Sequence, residues 1–157
     1  MVAAFFRHTR RIAADCRGNL MLEFALALPI LFLLLVGLLD LGRFGLQKSA
    51  MLQGAREGAQ YGIVAPDETA NIQTTAQNAT GMTGVNATAS TFCECVSGTA
   101  VSCASTCTGG ATLKKYVTVT ATRAFDSVLG QATTSFGSFG SWTPPTSSTA
   151  TITLIVP

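Results

Sequence analysis

The chain has 157 residues, of which 48% are apolar and only 11% charged. An average soluble domain is about 25% charged, and this apolar balance excludes high-charge disorder. A net charge of +2, with no basic cluster beyond residue 17, excludes a polybasic nucleic-acid binder.

Residues 1–18 read as a basic leader, with Arg7, Arg10, Arg11 and Arg17 opposed only by Asp15. The remainder of the chain carries a slight negative excess. From Phe24 to Leu39 no residue is charged, and counting from Leu20 adds a single carboxylate, Glu23. About 20 apolar residues suffice to cross a bilayer as a helix. Arginines concentrate before this stretch, and Arg43, Lys48 and Arg56 follow it more sparsely, diluted by Asp40 and Glu57. The positive-inside rule then predicts a single-pass protein with a cytoplasmic N-terminus.

The helical pattern continues to Ala65, where Pro66 is expected to stop it. Leu41, Phe44, Leu52, Ala55, Ala59 and Ile63 suggest its apolar stripe, and Asp40 and Arg43 form an i,i+3 pair. Gly54, Gly58 and Gly62 recur at steps of four. Each glycine costs a helix about 1 kcal/mol relative to alanine, so three on one stripe point to close packing of another element. Pro29 joins them as a helix-packing position, where a local irregularity is tolerated inside a membrane.

Residues 66–157 predict a small extracytoplasmic head. Asp67–Ala79 reads as a short polar helix with acids in its first turn, which the macrodipole favours. Thr88–Val96, Leu113–Ala124 and Ser148–Val156 read as antiparallel strands. Val117, Val119 and Ala121 should share one face, as should Ala150, Ile152, Leu154 and Val156, with threonines opposite. Ser135–Ser148 reads as a loop, and Phe136, Phe139 and Trp142 as part of the head's core. The predicted fold class is α+β: a long transmembrane helix over 19–65, then a head with a short helix and an antiparallel sheet.

Of five cysteines, Cys16 falls on the reducing side and Cys93, Cys95, Cys103 and Cys107 on the oxidising side. Four external cysteines predict two disulfides. The nested pairing, Cys95–Cys103 with Cys93–Cys107, is favoured by a tight turn around Ser97–Ala100; the crossed pairing is left open. A zinc site is the rival, but C-x-C is tight for a metal. The only histidine, His8, lies in the leader, and no nucleotide or zinc-protease motif occurs. No enzyme, metal or cofactor is therefore expected.

A short basic leader ending in Gly18, then four residues, then Glu23-Phe24 opening an apolar helix, resembles the processing site of Flp-type type IV prepilins. The string Glu23-Phe-Ala-Leu-Ala-Leu-Pro29, then Gly37-x-x-Asp40-x-Gly42-Arg43 and Ala55-Arg-Glu-Gly58-Ala59, is similar to TadE/TadG-like pseudopilins. The resemblance implies a pilin-like fold and cleavage by a prepilin peptidase between Gly18 and Asn19. It further implies that Glu23, beside Phe24, neutralises the terminal amine of an adjacent subunit. The implied role is a minor pilin in assembly of Flp/tight-adherence pili, anchored in a bacterial inner membrane with a periplasmic head. Its partners would be other pilins and pseudopilins and the inner-membrane assembly platform, with no nucleic acid. The alternative is an unprocessed bitopic scaffold or surface-binding protein of the same system.

Overall fold

The computed structural model describes residues 19–95, 99–128, 130, 134–135, 138 and 140–157. The chain divides into two compact units, Met1–Leu39 and Asp40–Pro157. Helix α1 (Asn19–Val64) contributes residues to both and contains Pro29 without interruption. It stops before Pro66, which pushes the residue ahead of it out of the helical region.

Within Asn19–Leu39 the large side chains lie open: Leu26 is 71% exposed, Phe32 62% and Leu34 67%. This stretch is long and apolar enough to cross a membrane. A run without polar alternation has no preferred face to bury.

The Asp40–Pro157 unit is an α+β arrangement. After α1 come α2 (Thr69–Ala79), β1 (Asn86–Glu94), β2 (Ala100–Val101), β3 (Lys114–Ala124), β4 (Thr134–Ser135), β5 (Ser141–Trp142) and β6 (Ser147–Val156). The main sheet is antiparallel in the order β2-β1-β3-β6, and β4 and β5 form a separate two-stranded ladder. Strands β1, β3 and β6 run within two residues of the bounds that alternation predicts; β2, β4 and β5 were not expected. Val117, Val119 and Ala121 are fully buried on one face. On the other, Thr118, Thr120 and Thr122 bond Thr153, Thr151 and Thr149 through their hydroxyls at 2.8, 2.9 and 3.1 Å.

The core lies between the buried sheet face and the two helices. Ala59, Ile72, Ala76, Ala87, Val117 and Val119 form one cluster; Met51, Ala55, Ala121 and Ala150 form another. Most of these side chains are small. Close backbone approach, rather than large apolar residues, fills the interior to native density.

Four expectations require correction. The apolar stripe of α1 is right at Ala55 and Ala59, which are buried with Gly54, Gly58 and Gly62, but shifted elsewhere: Leu41 is 67% exposed and Leu52 and Ile63 only half-buried, while Asp40, Gln47 and Met51 are buried. The sheet accepts small side chains, so bulk does not mark the buried face. Second, α2 begins at Thr69, leaving Asp67 and Glu68 ahead of its first turn. Third, the stretch read as a loop includes β5, paired Thr134↔Trp142 and Ser135↔Ser141. Fourth, the disulfides are crossed, Cys93–Cys103 and Cys95–Cys107, with Cα separations of 5.1 and 5.5 Å. The register Cys93↔Val101 and Glu94↔Ala100 centres the hairpin two residues earlier than the nested pairing requires. All four sulfurs are thus spent in S–S bonds, leaving no thiolate for zinc. The leader with Cys16 and Gly18, and the expected core aromatics Phe136 and Phe139, lie outside the described residues, as does the side chain of Trp142.

Candidate functional site

The residues singled out by the sequence fall into three places. Asn19 opens α1, and Glu23 and Phe24 follow in its first turns, both exposed. Among the described residues Glu23 has no ion-pair or hydrogen-bond partner. A carboxylate on an apolar helix is costly in lipid, about 2.5 kcal/mol or more at the bilayer centre and less toward the interface. Pro29 is also exposed and meets no packing element of its own unit among the described residues.

The glycines sit elsewhere. A β-carbon added at Gly54 would fall 2.5 Å from the Ala76 carbonyl oxygen and against the Thr80 methyl. At Gly58 it would meet the Ala76 β-carbon at 2.7 Å, and at Gly62 both Val117 methyls at 2.9 Å. The stripe therefore changes partner along its length, from α2 at Gly54 to β3 at Gly62. Gly37, Gly42 and Gly45 have open space at the same test.

A third place goes beyond the Asp40–Arg43 pair that the sequence indicates. Asp40 is 5% exposed, accepts a hydrogen bond from the Val128 amide at 3.0 Å and another from the Ser127 hydroxyl. Its pair with Arg43, at 3.7 Å, is the weaker contact. One turn on, Phe44 meets Phe125 edge-to-face at 5.3 Å, and the Arg43 guanidinium lies 6.0 Å above the Phe125 ring. Gln47 donates to the Ala124 carbonyl at 2.9 Å and accepts from Arg123 at 3.1 Å. Arg123 in turn donates to the Thr83 carbonyl at 2.8 Å. Asp40, Phe44 and Gln47 thus fasten the chain leaving β3 to one face of α1. Their three- and four-residue spacing was visible in the sequence, but a stripe sought only among apolar residues passes over two of the three.

Past the helix end, the Tyr61 hydroxyl and the Asn71 amide both donate to Glu68, at 2.8 and 2.7 Å. The Asn71 bond, then the Tyr61 bond, holds the Glu68 carboxyl below its ordinary pKa. The same contact to Glu68 raises the Tyr61 phenol above its ordinary value, with partial burial and the carboxylate charge adding to it.

Residues 18–60 match the family model described as TadE-like protein. That segment covers Glu23, the exposed apolar stretch, Asp40 and the glycines through Gly58. No curated protein and no solved structure matches the chain.

Proposed function

We propose, from the TadE-like segment at residues 18–60, that the chain is a minor pilin of a Flp/tight-adherence type IV pilus, with an assembly role and no catalytic one. The observation that carries this reading is Glu23, a carboxylate without a partner among the described residues, at the start of an exposed apolar helix within that segment. Cleavage after Gly18 by a prepilin peptidase leaves an amine at Asn19, about one helical turn from Glu23. In a medium of low dielectric, an isolated carboxylate and an isolated ammonium are each costly, and pairing them between adjacent subunits relieves both.

In this reading Leu20–Leu39 anchors the precursor in the inner membrane, with its basic leader cytoplasmic and the Asp40–Pro157 unit periplasmic. The apolar side chains that face lipid before assembly face neighbouring pilin helices afterwards. Partners are the peptidase, other pilin and pseudopilin subunits and the assembly platform, and the assembled fibre serves adherence. Support comes from the four arginines before the span and from the two disulfides, which belong to an oxidising compartment.

The test is substitution of Glu23. In Glu23→Ala the leader is removed as in the parent, while the amount of the chain recovered in sheared pili or in a complex with other pilins falls at least tenfold. Unchanged recovery would remove the charge-pairing argument.

A further inference from the structure

The exposed positions of α1 change character after Leu46. Leu41 is 67% exposed and Leu46 72%. Gly42 and Gly45 are exposed beside them, and Arg43 is the one exposed charge between Asp40 and Leu46. From Lys48 to Gln60 every exposed position is polar: Lys48, Ser49, Gln53, Arg56, Glu57 and Gln60. The uncharged run Phe24–Leu39 counts 16 residues, short of the about 20 that a crossing needs. Continuing the run to Leu46 makes up the shortfall. Leu41 and Leu46 point to different sides of the helix, about 140° apart at about 100° per residue. A docking protein covers one stripe of a helix, whereas lipid surrounds it.

The segment that leaves β3 stands on the apolar side of this change. The Val128 amide donates to Asp40 at 3.0 Å, and Asp40 lies about 9 Å before Leu46 along the helix. Val128 is itself 64% exposed. Irregular backbone is tolerated at membrane depth only where its polar groups are satisfied within the protein. Here Gln47 donates to the Ala124 carbonyl at 2.9 Å. The Phe125 amide donates to the Thr146 carbonyl at 2.9 Å, and the Gly130 amide to the Ser127 carbonyl at 3.1 Å. The Asp40 carboxylate is closed off in the same way, 5% exposed and accepting from Ser127 and Val128. Arg43 lies over the Phe125 ring and beside Asp40, with a stem long enough to carry its charge to the headgroups.

We infer that Leu41, Leu46 and Val128 form a base by which the Asp40–Pro157 unit is seated in the bilayer leaflet next to it, so that the water boundary lies at Lys48 rather than at Leu39. The occupant of this surface is phospholipid: acyl chains meet the three aliphatic side chains, and headgroups meet Arg43. Asp126, exposed in the same segment, limits the depth, because a carboxylate is costly among acyl chains. The seat is therefore shallow, within the headgroup layer of about 5–7 Å and the first acyl carbons beneath it. The inference rests on the membrane-anchor part of the reading above; it needs neither cleavage at Gly18 nor a pilus.

The test places the full chain in phosphatidylethanolamine–phosphatidylglycerol vesicles at a high ratio of lipid to protein. Trp142→Phe removes the native tryptophan, and a single new one is introduced by Leu46→Trp, Val128→Trp, Leu31→Trp or Gln53→Trp. Lipids brominated near the headgroup end of the acyl chain should quench Leu46→Trp and Val128→Trp at least twofold. Lipids brominated deep in the chain should quench Leu31→Trp by as much, and neither kind should quench Gln53→Trp. Quenching of Leu31→Trp without quenching of Leu46→Trp and Val128→Trp would overturn this inference alone. Leu31→Trp untouched by both lipids would overturn the anchor reading and this inference with it. Quenching of Gln53→Trp equal to that of Leu46→Trp would remove the boundary at Lys48. Quenching at Leu46 and Val128 that appears only on diluting the protein further in lipid would put a second copy of the chain there instead. Should the Trp142→Phe chain not form both disulfides, a benzophenone side chain at Leu46 or Val128 of the parent must give phospholipid adducts by mass, and their absence would overturn the inference.

Discussion

Between Leu20 and Leu39, helix α1 exposes its largest side chains; between Asp40 and Val64 it buries a face made mostly of small ones. Leu33 and Leu34 are 61% and 67% exposed, whereas Ala55 and Ala59 are completely covered. The first stretch answers to a solvent: any aliphatic residue of adequate hydrophobicity satisfies it, so composition alone defines it. The second answers to shape, because α2 approaches until no β-carbon fits at Gly54 and β3 crowds Gly62 in the same way. Substitutions in the two stretches should therefore behave differently.

The largest effect is expected at the glycine stripe. Gly54→Ala drives a methyl into the Ala76 carbonyl, and such overpacking costs about 1–3 kcal/mol. The detergent-solubilised chain should melt several degrees lower, read by circular dichroism. Leu33→Ala should leave that transition within about 0.5 kcal/mol, and Gly45→Ala, with open space around it, should hold or raise it. Equal losses at Gly54 and Leu33 would erase the distinction between the stretches.

Next come the bridges that hold the β1–β2 hairpin. Removing Cys93–Cys103 by paired serine substitutions should cost about 2–3 kcal/mol. Thiol labelling of the native protein should find none of Cys93, Cys95, Cys103 and Cys107 free. One free thiol among them would contradict the crossed pairing.

A smaller loss is expected at Asp40, where the packed stretch begins. Asp40→Ala leaves the Val128 amide and the Ser127 hydroxyl, in part-buried contacts, without that acceptor, a change of about 1 kcal/mol. Asp40→Asn keeps an amide oxygen for Val128 and should lose less. If both variants melt with the parent, the Ser127–Val128 contact is not what fastens that segment.

The smallest effect depends on pH. Glu68 has a lowered pKa, so its contribution is present above the unfolded value, about 4.3, and is lost as pH falls through the folded one. Tyr61 has a raised pKa, so its contribution is present below about 10 and is lost as pH rises through the folded value. The melting temperature should show a shallow plateau between these limits, and Glu68→Gln should flatten its acid side.

The strands were legible because a half-buried sheet writes itself as alternation: Val117, Val119 and Ala121 against Thr118, Thr120 and Thr122. The apolar stretch was legible for the opposite reason, having no alternation at all. The helix stripe at Asp40–Val64 was read only in part. Gly54, Gly58 and Gly62 stand out by spacing, yet their neighbours change from α2 to β3, a matter of tertiary register that local pattern does not encode. The burial of Asp40 and Gln47 was not legible, because it depends on partners about 80 residues away in sequence. The disulfide pairing turned on a two-residue shift in one hairpin, which cysteine spacing alone does not determine.

We propose that α1 begins as a processed terminus, with Asn19 supplying the amine that Glu23 neutralises in a neighbour. The intact mass of the protein purified from its native membrane tests this directly. The expected mass is that of a chain that starts at Asn19 and lacks Met1–Gly18. A mass retaining Met1–Gly18 in the assembled population would contradict it and leave an unprocessed membrane scaffold in its place.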